Sequence, residues 1–441
     1  VIRAAALLLS LPFFSFAQFA TQTGVVHLPP GVKTLDAEIQ LPEGAHDLTI
    51  IGDRTTLRAN AKFHGRAILS CIHCRNLTIR NLTLDGNRAD LERPQPLPPT
   101  DKSFASFYSN NGILVEESDG FSLDRVEFVN IASFAVLVAH SRHVTLSRLS
   151  VSDSGSRNGK GRNNTTGGVL LEQGTQDFQV SGSVFRNIRG NGLWTHSCYL
   201  SPRNLRGKFL KNDFSEIGRD AIQVGHASEV TVAGNTGRRI GFPASEVDVE
   251  GGGTPVAVDT AGNVDRTVYE NNDFTEINGK CFDLDGFHDG ILRGNKCVNH
   301  GPPEDYPYGN FGIAFNNSSI EMESRNVLIE NNTLEGMKFG GIFVVGSGHR
   351  ILGNILRMLN TAHCNETHAK FGCIVTLEEP GFLESGIYLG RRADRPDPSR
   401  AITIQGNTIS GWKMGANCIR AAPGVNLTDN RIQDNRCTDL Q

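Results

Sequence analysis

A degenerate repeat of roughly 22–30 residues, a period that marks stacked coils rather than separate domains, runs from about Asn76 to Asn430. LTIRNLTLDG, VYENNDFTEING, VLIENNTLEGMKFGG, ILGNILRM, ITIQGNTISG and LTDNRIQDN share one plan. An apolar-alternating stretch leads into an Asn-containing turn, then a second short apolar stretch and often a Gly. One such unit cannot bury its apolar face alone, so it must stack on its neighbours. The strands, such as the one carrying Leu77 and Ile79 and the one carrying Leu82 and Leu84, lie too close together for crossover helices. Coils wound in one direction, each pairing in parallel with the next, fit this spacing better than a sandwich. The recurring Asn187, Asn212, Asn235, Asn272, Asn295, Asn332, Asn354, Asn407 and Asn430 suit sharp bends, because Asn tolerates the left-handed backbone region. Stacked on one another, they are expected to form an internal amide ladder.

A solenoid lengthens coil by coil, so 441 residues do not imply several domains. The 48 glycines favour turns over helices, and a formal net charge of -4 gives no reason to expect nucleic acid as a partner. Residues 1–17 carry Arg3, then AAALLLSLPFF, and end in Ser-Phe-Ala before Gln18, the pattern of a secretory signal peptide. No later apolar stretch is long enough to span a bilayer. The expected location is therefore secreted or periplasmic, and the expected state is a monomer.

Nine cysteines in an exported chain point to disulfides. Cys364 and Cys373 bracket a short loop, while Cys281/Cys297 and Cys418/Cys437 lie about one coil apart. Cys71 and Cys74 form a C-x-x-C among strands, with no helix to lower a thiol pKa. The odd count leaves one thiol over, and Cys198 is the candidate.

The mature chain, 18–441, reads as one β-helical domain interrupted by insertions near 87–111, 152–168, 241–255, 300–310 and 359–385. Long loops on a rigid scaffold are where function usually sits, and loops leaving one edge would wall a groove.

A Pro-Gly turn followed by strands and then LTIRNLTLDGN resembles the opening coils of the right-handed parallel β-helix, or pectin-lyase-like, superfamily. That superfamily includes pectate lyases, polygalacturonases, alginate-modifying enzymes and phage tailspikes. The resemblance implies an all-β, single-stranded right-handed parallel β-helix, a solenoid of about 10–12 coils. Fold alone does not give function.

Aligning WTHSC, AIQVGHASEV, VAVDTAGNV and FDLDGFHDGI on the Gly after the main strand makes their outward positions comparable. Central coils then carry Trp194 and His196, Gln223 and His226, Asp259, and finally Asp283, Asp285, His288 and Asp289. Asp283 and Asp285 lie two apart and so share a strand face. Close carboxylates resist double ionisation, which leaves one protonated near neutral pH. Glycosidic hydrolysis needs such a pair.

GRDAIQVG (218–225) and GKCFDLDG (279–286) partly resemble polygalacturonase strand starts, but Arg219 and Lys280 stand where acids belong. Only Asp220, and more weakly His300, match that pattern. The expected catalytic set is Asp283, Asp285, Asp220, Asp259 and His288. Trp194, His196, Gln223, His226, Arg219, Lys280 and Arg266 are the expected substrate contacts. Tyr199, Phe287, Tyr306, Tyr308 and Trp412 are further aromatic candidates for sugar stacking.

The favoured reading is a glycoside hydrolase acting on a polysaccharide or oligosaccharide, with no cofactor. A polysaccharide lyase or uronate epimerase is the first alternative. It would use basic residues such as Lys280 and Arg266, with Ca²⁺ on Asp283, Asp285 and Asp289. A non-catalytic carbohydrate-binding or surface protein is the second.

Overall fold

The computed structural model describes residues 19–198, 201–364, 372–373 and 379–440. The expected signal peptide and Tyr199 lie outside these. Among the described residues 36 strands join in one continuous sheet, wound so that each coil pairs in parallel with the next. One inward row runs Val169, Leu193, Ile222, Val258, Phe282, Ile313, Ile342 and Ile387, each in register with its neighbour one coil away. All are 0–1% exposed, so every coil covers the apolar face of the next. The same row reaches back to Ile39 and Leu69, before the recognisable repeat begins. There the strand His46–Ile72 turns its corners without a break, which hides the period in the sequence.

The amide ladder is present but differs from the expected one in two respects. Asn212, Asn235, Asn272, Asn295, Asn332, Asn354 and Asn407 each donate from Nδ2 to Oδ1 of the next Asn, at 2.9–3.0 Å, and the ladder ends on Asn435. Asn187 and Asn430 are outside it: the exposed Asn187 bonds Asp153, and Asn430 accepts from the Ile402 N–H. The left-handed residue is also not the ladder Asn but the one before it, as at Lys211 (φ 54°), Asn271 (φ 53°) and Asn331 (φ 54°). That twist aims the following amide into the core. Each Nδ2 there also donates to a backbone carbonyl of the preceding coil, such as Val232 O for Asn272, so no buried amide hydrogen is wasted.

Four disulfides close: Cys281–Cys297, Cys364–Cys373, Cys418–Cys437 and Cys71–Cys74. Cys198 is the free thiol among the described residues. No described helix is long and apolar enough to cross a membrane.

The insertions build a wall on one side. In the 92–102 segment, Glu92 accepts from the Arg157 N–H at 2.8 Å, and Gln95 O accepts from Asn164 Nδ2 at 2.6 Å. Asn163 donates its N–H to Glu246 O at 2.7 Å, and its Oδ1 accepts from the Asp248 N–H at 2.8 Å. Three loops distant in sequence are thereby stitched into one body beside the central coils.

Candidate active site

Strand alternation determines which side chains leave the coil. The outward row beside the apolar one reads Leu114, Leu137, Leu170, Trp194, Gln223, Asp259, Asp283, Ala314, Phe343 and Tyr388. Its N-terminal part is apolar and covered, its centre polar, and its C-terminal part aromatic. Asp259 and Asp283 are therefore direct neighbours on consecutive coils, one strand spacing of about 4.8 Å apart. Asp285 follows Asp283 on the same strand face, in register with Asn316.

Two flanking cations complete the cluster. Lys280, on the strand Lys280–Asp285, sets its Nζ 2.5 Å from Asp283 Oδ2. Arg219 Nε lies 3.4 Å from Asp220 Oδ2. Asp220 is 2% exposed and accepts from the Val256 N–H at 2.9 Å. The buried Asn191, which the repeat alignment overlooked, gives Nδ2 to Gln223 Oε1 at 2.6 Å and fixes that amide between Trp194 and Asp259.

The electrostatics separate these carboxyls. Burial pushes Asp259 well above the ordinary carboxylate range, and the charges of Asp220 and Asp283 push it further. Burial raises Asp220 to about 6 against the pull of Arg219. Burial and then Asp283 raise Asp285 to about 6, opposed by the Ser318 hydroxyl. Burial works against the Lys280 charge, but Asp283, Asp259 and Asp285 outweigh it and hold its pKa above that of an ordinary lysine. An Asp259 of raised proton affinity thus sits beside an Asp283 paired to an ammonium. Asp283 Oδ1 has no hydrogen-bond partner among the described residues.

The remaining candidates fall elsewhere. Trp194 is 6% exposed because Phe104 lies edge-on to it, ring centroids 4.9 Å apart, so no open ring face is offered for stacking. His196 and His226 face each other beside it, centroids 6.5 Å apart. Burial lowers His226 to about 4, so it is neutral near pH 7. His288 is tied at Nδ1 to Asp289 and at Nε2 to Asn263, and it pairs in register with Asp265 beyond the turn after Asp285. Arg266 bonds Asp265 and Ser228 on that same outer face.

The other aromatic candidates and His300 also keep their own company. Phe287 is fully buried against Tyr269, and Tyr306 bonds Glu276. Trp412 stacks on His363 at 4.9 Å. His300 pairs with Glu276 at 2.7 Å. None of these joins the carboxylate cluster. Among the described residues no group of three or more His, Cys, Asp or Glu is arranged to hold a metal ion.

Residues 206–356 match the family described as right handed beta helix region. The chain is a right-handed parallel β-helix. Comparison with curated protein sequences finds no match. Among solved structures, the β-helix is similar to the pre-mature form of gene product 12 of bacteriophage phi29, with TM-score 0.60 and 11% identity. That likeness covers 92% of this chain and 51% of the phage protein, so this chain spans about half its length. It is also similar to PfbA, a surface adhesin of Streptococcus pneumoniae, with TM-score 0.51 and 12% identity over 76% of this chain and 82% of that one. At such identities these likenesses establish the fold and leave the chemistry to the site.

Proposed function

We propose that the protein is an exported glycoside hydrolase that cleaves a polysaccharide at Asp259 and Asp283. The observation that carries this reading is the stack of a buried Asp259, whose proton affinity is raised, directly on an Asp283 held by Lys280. Asp259 would protonate the glycosidic oxygen as the bond from that oxygen to the anomeric carbon breaks. With the two carboxyls only one strand spacing apart, Asp283 would form the new bond to that carbon, and water, giving its proton to Asp259, would then cleave the resulting ester. One water is consumed, and each product chain gains a hydroxyl. The charges of Asp220 and Asp283 beside Asp259 raise its affinity for the proton.

Four disulfides support a location in an oxidising compartment, periplasmic or extracellular. Incubation with a panel of neutral and acidic polysaccharides tests the activity. New reducing ends, abolished in Asp283→Asn, support hydrolysis. Unsaturated, ultraviolet-absorbing products would select an eliminative reaction, for which Lys280 among the carboxylates offers the cation. Binding without cleavage across the panel would leave a recognition protein.

A further inference from the structure

The Pro-rich segment is held over the coils at both ends. Near its start, Gln95 O accepts from Asn164 Nδ2 at 2.6 Å and Pro96 O accepts from the Tyr108 hydroxyl at 3.0 Å. At its far end the wholly buried Glu172 accepts the Phe104 N–H at 3.0 Å and the Ala105 N–H at 2.7 Å. Two adjoining cavities, of about 240 and about 260 Å³, lie beneath this roof. Leu97, Thr165 and Arg219 border both, so Arg219 stands where they meet. Each alone is smaller than the usual small-molecule site of about 300–1,000 Å³, and the two together fall inside that range.

The walls carry positive charge. Lys102, His196, Arg219 and His226 line the smaller cavity, and no Asp or Glu is among its described lining residues. The Arg219 side chain is 17% exposed, and its Nε is buried with no hydrogen-bond partner among the described residues. A buried donor left unmade on a charged group is costly, and a guanidinium has five donors to place. Asp220, 3.4 Å from that Nε, offsets the charge from the coil side. It is itself buried, accepts from the Val256 N–H and lines neither cavity. The acid of the larger cavity, Asp248, is already taken by Asn158 Nδ2 at 2.6 Å and by Lys160 Nζ at 3.6 Å. The charges of His196 and Arg203 add to burial in lowering His226, so this wall disfavours a further cation. Leu97 and Phe104 supply an apolar side.

We infer that the two cavities form a binding site for a small oxyanion-bearing molecule, its carboxylate or phosphate seated on Arg219 and Lys102 beneath the Pro-rich segment. The oxygens of either group match the guanidinium fork with two parallel hydrogen bonds and give the buried Nε region the acceptor it lacks. Asp259 and Asp283 border neither cavity, so the site is separate from the carboxylate pair and does not rest on the hydrolase reading. An acidic monosaccharide and the free inorganic ion share this chemistry, and the titrations below distinguish them.

Two measurements on the full chain test it. In calorimetric titrations with glucuronate, inorganic phosphate and glucose, at least one anion should bind about tenfold or more tightly than glucose, the worth of a hydrogen bond to a charged group. Arg219→Gln should weaken that anion by a similar factor, and Lys102→Gln, on the exposed face of the segment, should weaken it less. Tighter binding of glucuronate than of phosphate assigns the site to an acidic sugar, and the reverse or equality assigns it to the free ion. Independently, the imidazole NMR signals of His196 and His226, which line the smaller cavity, should move as the anion binds and stay still with glucose. No binding of either anion at millimolar concentration, glucose bound as tightly as both, or an affinity unchanged in both variants overturns the site. So do histidine signals that stay still when the anion is saturating.

Discussion

Asp259 and Asp283 are in-register partners on consecutive parallel strands, and the charge of one raises the proton affinity of the other. The arrangement follows from the coil itself, since residues stacked outward at one position of a solenoid cannot move apart without breaking the ladder that pairs their strands. Asp259→Asn and Asp283→Asn should each lower kcat by about 10²–10⁴-fold, the usual worth of a positioned acid or base. Circular dichroism and thermal melting should show the fold retained. Retention of full activity by either variant removes that residue from the reaction.

The pH profile carries a sign that can be checked. Asp259 must hold its proton to act as the acid, so activity falls as pH rises through its elevated pKa. Asp220 raises that pKa, whereas Arg219 lowers it. The alkaline limb of kcat/KM should move toward acid in Asp220→Asn and toward alkali in Arg219→Gln. Movement of both limbs in the same direction would show that another group sets this edge.

The Asn ladder is a stability device. Asn272 Oδ1 accepts from both the N–H and Nδ2 of Asn235, while its own Nδ2 serves Asn295 and Val232. Asn272→Ala strands these buried partners and should cost about 2–4 kcal/mol in urea unfolding, given about 1–3 kcal/mol for each buried group left unsatisfied. Asn435→Ala, at the partly exposed end of the ladder, should cost markedly less. Equal losses at both sites would mean that burial does not set the cost.

Cysteine chemistry offers a separate check. A non-reducing peptide map should recover the four bridges, and alkylation of the folded, unreduced protein should label Cys198. Reduction should lower the melting temperature, because removing a native cross-link typically costs about 2–5 kcal/mol. Labelling at Cys281 or Cys418 without reductant would contradict the pairing.

Periodicity carried the architecture, because stacking repeats leave their apolar spacing in the text. It also placed Asp259, Asp283 and Asp285 on outward faces of central coils. It did not favour Asp259 over Asp285 as the partner of Asp283, because residues two apart on one strand share a face in the text, whereas the shorter approach, about 4.8 Å, is to the neighbouring coil. Trp194 stood out as an aromatic at an outward position, yet Phe104, ninety residues earlier in the chain, covers it. No local pattern announces such a contact. His288 and Arg266 sit near the cluster in sequence, but a turn carries them to another face. Asn191 went unnoticed because its partner Gln223 lies on the next coil.

The stitched wall has a consequence for engineering. Asn163 gives its side chain to Gly218 O and to the Asp248 N–H, and Asn164 secures the Pro-rich segment. Grafting one of these loops from a relative would leave the others with severed bonds and no shape of their own. Any transplant that aims to change what the molecule accepts must carry all three together, while the coils beneath can stay untouched.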